Sequence, residues 1–220
     1  ISAITAKNGR IATANITINA LGLEPPWNAV DVGGVSVPGI NGFAEGTFII
    51  EGSGRDIWRG GDEFRYVYRQ ITGDVSITVR VDSIGDTYGW AKTGPMIRNG
   101  LNTLDQYAMS LLSYSEGIRF QYRSSPGGES YSKIGDKVTA PYWLRLVRSG
   151  DTFTSYASAD GDSWHQVDAP QIIAMPETVN VGMAVCAHVT GELNRVIMDN
   201  VSIEGSLPLN DTLSIITLFN

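Results

Sequence analysis

The chain has 220 residues, of which 42% are hydrophobic and 18% are charged, and its formal net charge is −7. This length fits one large β domain or two small ones. A chain of this size and composition can bury its core without disulfides or metals, and it differs from a disordered chain. The acidic balance and the scattered arginines argue against nucleic acid or an anionic membrane as a partner, because a phosphate-binding surface needs clustered Lys and Arg.

Membrane-spanning segments and intrachain disulfides are both disfavoured by this sequence. No apolar stretch approaches the roughly 20 residues that span a bilayer, so we expect no membrane insertion. The one cysteine, Cys186, cannot form an intrachain disulfide, and its apolar neighbours predict a buried, unreactive thiol.

Alternating apolar and polar residues recur along the chain, and amphipathic helical periodicity is nearly absent. Short runs of this kind, separated by Gly, Asn, Asp and Pro, are typical of β-strands joined by tight turns. The fold predicted is all-β, an antiparallel two-sheet β-sandwich or jelly roll. In chain order, the strands are predicted at 10–18, 47–51, 64–69, 75–81, 90–98, 106–113, 117–123, 142–148, 152–158, 164–167, 179–187 and 194–203, with turns at 72–74, 126–128, 149–151 and 159–162.

The ends of the chain divide it into three predicted segments. Residues 1–28 form an N-terminal strand segment or the tail of a preceding module, and the pair Pro25-Pro26 predicts a stiff, extended joint. Residues 29–205 form the sandwich. Residues 206–220 are a C-terminal strand or linker, which packs on the sandwich or against a neighbouring domain.

The stretch from Asp31 to Ser202 resembles a widespread group of bacterial domains with a concanavalin A-like, laminin-G-like sandwich, the DUF1349-like domains of exported multidomain proteins. The resemblance implies an extracellular or cell-surface location, adjoining domains in a larger chain, and a setting linked to carbohydrates. It implies no particular ligand. The matching residues are Asp31-Val32-Gly33, Gly52-Ser53-Gly54-Arg55-Asp56-Ile57-Trp58, Asp62-Glu63-Phe64, Gly73-Asp74, Trp90-Ala91-Lys92-Thr93-Gly94-Pro95-Met96-Ile97-Arg98, Trp143-Leu144-Arg145-Leu146-Val147-Arg148, Ser158-Ala159-Asp160-Gly161-Asp162-Ser163-Trp164, Val181-Gly182-Met183-Ala184-Val185 and Asp199-Asn200-Val201.

Catalytic patterns are weak in this sequence. A retaining glycosidase needs two carboxyl groups about 5 Å apart, but Asp62 and Glu63 are adjacent and would point to opposite faces of a strand. A lyase would gather Arg, His and Tyr around an acidic sugar, and Arg119, Gln121 and Arg123 do share one face of a predicted strand. The same stripe is equally typical of a polar outer sheet face.

Two local patterns carry a structural interpretation. Ser158, Asp160, Gly161 and Trp164 form a shortened Asp-box, in which the carboxylate caps turn amides and the indole packs over the hairpin. No cofactor is required by any motif. Acidic residues near strand ends leave a structural Ca²⁺ ion open, although no spacing matches a known loop. These residues are Asp82, Asp86, Asp105 and Asp199.

Sugar binding is the function that these features favour. Sugars stack their apolar C–H faces on exposed aromatic rings and give their hydroxyls to polar side chains. We predict a non-catalytic carbohydrate-binding module whose partner is a polysaccharide or glycan. The alternatives are a structural or adhesion spacer, and a polysaccharide hydrolase or lyase with an unfamiliar site. The predicted ligand-binding residues are Trp27, Tyr88, Trp90 and Tyr131, which lie in or beside Gly-, Ser- and Asp-rich loops, together with Arg119, Gln121 and Arg123.

Overall fold

The computed structural model describes residues 2–7, 10–15, 23 and 26–208, the first two ranges as strands only. These residues form strands and turns without a helix, and therefore no helix among them is long and apolar enough to cross a membrane. The strands are β1 (Ser2–Lys7), β2 (Arg10–Asn15), β3 (Asn28–Val32), β4 (Ile40–Ala44), β5 (Thr47–Gly54), β6 (Phe64–Ile84), β7 (Lys92–Arg98), β8 (Tyr107–Ser113), β9 (Gly117–Arg123), β10 (Ser130–Ile134), β11 (Tyr142–Ser149), β12 (Thr152–Ser158), β13 (His165–Gln166), β14 (Gln171–Ile172), β15 (Thr178–Cys186) and β16 (Val189–Ser206).

Two antiparallel layers share strand β6. The first sheet has the order β10-β9-β8-β7-β15-β6, with β3 also paired to β6. The second sheet contains β12, β11, β6, β16, β5 and β4 as successive neighbours, with β13 and β14 on β12. β1 and β2 pair with each other as a separate two-stranded sheet. The prediction of an all-β, antiparallel sandwich is confirmed.

Strand β6 corrects one predicted turn. The segment 72–74 was predicted to separate two strands, but the chain continues as one strand from Phe64 to Ile84. Gly73 takes a positive φ of 81°, and its amide donates to the carbonyl of Glu177 over 2.9 Å. This glycine lies where β6 leaves the first sheet and enters the second, so a Gly-Asp pair typical of a hairpin serves here as a bend within a strand.

The main core lies between the two sheets. Because side chains alternate between the two faces of a strand, every second side chain points into this core, as the sequence pattern predicts. The first sheet contributes Ile97, Ala108 and Phe120, and the second contributes Ile77 and Leu146, all fully buried. Cys186 is also buried, as predicted, and burial raises the pKa of its thiol to about 12.

A second apolar cluster covers the outer face of the first sheet. Tyr66, Met96, Tyr107 and Met109 point away from the main core and are fully buried. Ile57, from the loop 55–63, belongs to the same cluster and is also fully buried. The inner strands β7 and β8 are therefore buried on both faces, and every residue of both strands is buried.

Strand ends differ from the prediction mainly around loops. Trp90 precedes β7 instead of lying within it, and β16 extends from Val189 to Ser206. β3, β4 and β10 were not predicted. Leu23 and Trp27 pack against the main core. The segment assignments 1–28 and 206–220 stay predictions, because much of both segments lies outside the described residues.

Candidate functional site

A pocket of about 290 Å³ opens on the outer face of the first sheet, beside the loop 55–63. The loop contributes two of the lining residues, and the segment before β7 and the first residue of β7 contribute one each. The others come from β9, β10 and the turn after β15. Its lining residues are Asp56, Trp58, Trp90, Lys92, Gln121, Ser132 and His188.

Asp56 places a carboxylate in this pocket, and one of its two oxygens already accepts hydrogen bonds from the protein. Its Oδ1 accepts the Ile57 amide at 2.8 Å and the Lys92 ammonium at 2.5 Å, and it lies 3.4 Å from Nδ1 of His188. No donor among the described residues bonds to Oδ2. Burial favours the neutral acid, but the neighbouring His188 and Lys92 outweigh that effect and lower the pKa of Asp56 to about 2. The group is therefore a fixed, ionised acceptor.

Lys92 and His188 complete the polar side of the pocket. The Lys92 side chain is 4% exposed and forms an ion pair with Asp56. An ammonium has three N–H donors, of which Asp56 takes one. His188 adopts a positive φ of 59°, which is uncommon for a residue with a side chain. This backbone conformation sets the ring beside Asp56.

Gln121 presents an acceptor of fixed orientation. Its Nε2 donates to the carbonyl of Ile57 at 2.6 Å and to the Tyr107 hydroxyl at 2.7 Å. Because both amide hydrogens are used within the protein, Oε1 is left for a ligand. The bond to Ile57 also ties the loop 55–63 to the sheet.

Aromatic rings form the apolar side of the pocket. Trp90 is 36% exposed, and the Arg119 guanidinium lies 5.3 Å from its ring centre. Tyr88 is half exposed and packs on His188 with 4.9 Å between ring centres. Four predicted site residues, from β9 and from the loop before β7, thus lie in or beside one pocket: Tyr88, Trp90, Arg119 and Gln121.

Three predicted residues lie elsewhere. Trp27 packs edge-on against Phe48 in the main core. Tyr131 belongs to β10, not to a loop, and stacks on Tyr122 of the neighbouring strand. Arg123 shares a strand face with Gln121, but its side chain is 1% exposed and forms an ion pair with Asp62.

Asp62 is the centre of a buried ionic cluster beneath the loop. It accepts from Nη1 of Arg98 at 2.7 Å and from both Nη atoms of Arg123 at 2.8 Å. Arg123 also donates to the carbonyl of Trp58 at 2.6 Å. Asp62, which we had considered only as a carboxylate beside Glu63, therefore holds the loop that carries Asp56 and Trp58.

Five pocket residues were missed by sequence reasoning. Asp56, Trp58 and Lys92 lie within stretches that carried the family resemblance, so we assigned them to the fold instead of to a site. The usable signal was Lys92, a charged residue at the start of a strand that is buried along its whole length. His188 and Ser132 gave no such signal, because their proximity to Asp56 depends on the sheet order.

The Asp-box turn is confirmed as a structural element. The Asp160 carboxylate accepts the amides of Asp162 and Ser163 at 2.9 and 2.7 Å, which lowers its pKa. Gly161 takes a φ of 85°, and Trp164 donates its indole N–H to the carbonyl of Gly161.

The acidic residues considered for calcium do not meet in one place. Asp82 and Asp199 both bind Arg80, at 2.9 and 2.7 Å, and Asp105 accepts the amide of Asn102 at 2.7 Å. Among the described residues no group of three or more His, Cys, Asp or Glu side chains could hold a metal ion. A structural calcium ion stays a prediction.

Comparison with known proteins supports the fold. No family model matches the sequence, and no curated protein shows significant sequence similarity to it. A functionally unknown protein from Saccharomyces cerevisiae has a similar structure, with a TM-score of 0.65 and 16% identity, over 83% of this chain and 97% of that chain. The GH43 protein BlXynB from Bacillus licheniformis matches with a TM-score of 0.52 and 15% identity, over 72% of this chain and 33% of that one.

A third similar structure is the carbohydrate binding module CBM66 from Bacillus subtilis, with a TM-score of 0.48 and 14% identity, over 81% of this chain and 95% of that chain. At these identities structural similarity shows the fold alone. The specific resemblance to bacterial DUF1349-like domains stays a prediction.

Proposed function

We propose that this chain is a non-catalytic carbohydrate-binding module whose ligand site is the pocket around Asp56 and Trp90. One observation carries the proposal: a single cavity joins exposed indole surface to hydrogen-bonding groups that the protein itself leaves unused. Sugars need both features, since their C–H faces are apolar and their hydroxyls donate and accept at once.

The polar groups suit a hydroxyl pair. One sugar hydroxyl donates to Oδ2 of Asp56 and accepts from the ammonium of Lys92, and a second donates to Oε1 of Gln121. Bonds to charged groups are stronger than neutral ones. Because the ion pair with Lys92 and the bonds of Gln121 fix these atoms in advance, little side-chain freedom is lost on binding.

The two alternatives make different demands on the same site. A retaining or inverting hydrolase needs a second carboxyl group across the bond, and among the residues that the structure describes Asp56 is the one carboxylate lining this pocket. A spacer or adhesion domain does not require an ionised carboxylate in a cavity lined by indole rings. Export, cell-surface location and adjoining domains belong to this proposal and rest on the sequence resemblance.

The test is a binding screen with the purified chain on xylan, mannan, arabinan and amylose, with and without calcium, in which retention and released products are both measured. We expect retention without products. Trp90→Ala should weaken binding at least about tenfold, because stacking area is lost at a desolvated contact. Asp56→Ala should do the same.

Tyr131→Ala is the matched control, because Tyr131 is an exposed aromatic outside the pocket and should leave binding unchanged. Retention that survives both pocket variants would place the site elsewhere. No retention on any polysaccharide would favour the spacer, and released products would favour an enzyme.

A further inference from the structure

We infer that the pocket takes the end of a glycan chain and excludes internal stretches, an inference that rests on the proposed function. A site for an internal stretch has to be a groove open at both ends, so that the chain can enter and leave. A groove that continued from this pocket would run along the outer face of the first sheet. In this protein an apolar cluster covers that face.

The obstruction is Ile57. Its side chain is fully buried in the apolar cluster of the outer face, together with Met96, Tyr107 and Met109 of the strands beneath. The flanking residues Asp56 and Trp58 line the pocket. One short loop thus closes the sheet face and forms a wall of the cavity, and a sugar chain cannot continue past it across the strands.

The loop is fixed in this position. The carbonyl of Ile57 accepts from Gln121 at 2.6 Å, and the carbonyl of Trp58 accepts from the buried Arg123 at 2.6 Å. The Glu63 amide donates to the carbonyl of Asp56 at 2.8 Å, which closes the loop on itself. Moving the loop aside would break these bonds and expose Ile57, so we expect the sheet face to stay closed on ligand binding.

Two other sides of the pocket are bounded by β10 and by the turn after β15. Ser132 stands on the edge strand β10, and His188, with Tyr88 packed on it, stands beside Asp56. The volume of about 290 Å³ lies at the lower limit of small-molecule sites. A cavity of this volume holds about one or two sugar rings and no longer stretch of a polysaccharide.

Counting binding sites on polysaccharide tests this inference. The substrate is whichever of xylan, mannan, arabinan or amylose retains the chain, used intact and after partial acid hydrolysis that raises the number of chain ends about tenfold at equal mass. For a chain-end site, saturation binding per gram rises in proportion to the ends, about tenfold, with an unchanged Kd. The free monosaccharide should also compete fully.

An internal site gives the opposite result, because the number of internal stretches per gram hardly changes on partial hydrolysis. Saturation binding that is independent of the number of ends, with no competition by the monosaccharide, would overturn the chain-end inference and leave the proposed function intact. Absence of retention on all four polysaccharides would overturn the proposed function first, and this inference with it. The Trp90→Ala variant, measured in parallel, assigns the counted sites to the pocket.

Discussion

The buried ion cluster beneath the pocket loop makes a quantitative prediction. Asp62→Asn preserves the shape of the side chain but removes the negative charge that Arg98 and Arg123 share. The side chains of both arginines are at most 1% exposed, so neither charge can be solvated by water without opening the fold. Breaking a buried pair by removing one partner costs about 3–5 kcal/mol. Because two cations lose the same anion, we expect the upper part of that range.

Urea unfolding followed by tryptophan fluorescence measures this loss. A cost of about 4–5 kcal/mol is a large share of the 5–15 kcal/mol that stabilises an ordinary domain, and the midpoint should fall with little change in slope. Asp162→Asn, the same substitution at an exposed position, should stay within about 0.5 kcal/mol of the parent. A loss below about 1 kcal/mol for Asp62→Asn would refute the reasoning, since the carbonyls around the guanidinium groups would then suffice to hold their charges.

Three further predictions concern single side chains. The pKa of Asp56 is about 2 in the folded protein, against an ordinary value of 3.8. The stability that its charge contributes is therefore present above about pH 4 and is lost as the pH falls towards 2. The difference in unfolding free energy between the parent and Asp56→Asn should shrink over that pH window, and a constant difference would contradict the lowered pKa. Gly161→Ala should cost at least about 1 kcal/mol in unfolding free energy, because it adds a Cβ at positive φ only 2.8 Å from the Trp143 ring. Gly150→Ala, also at positive φ but with open space around it, should cost less. Equal costs would show that the Trp143 ring moves to accommodate the added Cβ. Cys186 should resist iodoacetamide in the native protein and react in urea, and rapid native alkylation, read by mass spectrometry, would mean that the strand opens.

The fold was predictable because its signals are local. The alternation of apolar and polar residues predicts β9 and β12 with their observed ends, and the Asp-box motif predicts the turn at 159–162. Both signals depend only on residues that are neighbours in sequence. The predicted break at Gly73 was wrong for the same reason. A Gly-Asp pair looks alike in a hairpin and in a bent strand, and only the pairing of β6 with both sheets distinguishes the two.

The candidate site was predictable in part. Trp90 and Gln121 were chosen for their chemistry and do line the pocket, but the choice of Arg123 did not take into account that an arginine on the same strand face can be buried against an acid. Asp56, Lys92 and His188 could not be grouped from sequence. They are separated by 36 and 96 residues and meet only because β7 pairs with β15, and because the loop 55–63 folds back over that pair.

The sharing of β6 between the two sheets has a consequence for how the molecule unfolds. Residues 65–72 bond to β15, and residues 75–81 bond to β11, along one unbroken strand. Neither layer can separate from the other without losing a strand that is hydrogen-bonded within it, so heat or denaturant should not unfold one sheet while the other stays folded. We therefore expect the sandwich to unfold cooperatively, in a single transition whose calorimetric and van't Hoff enthalpies agree.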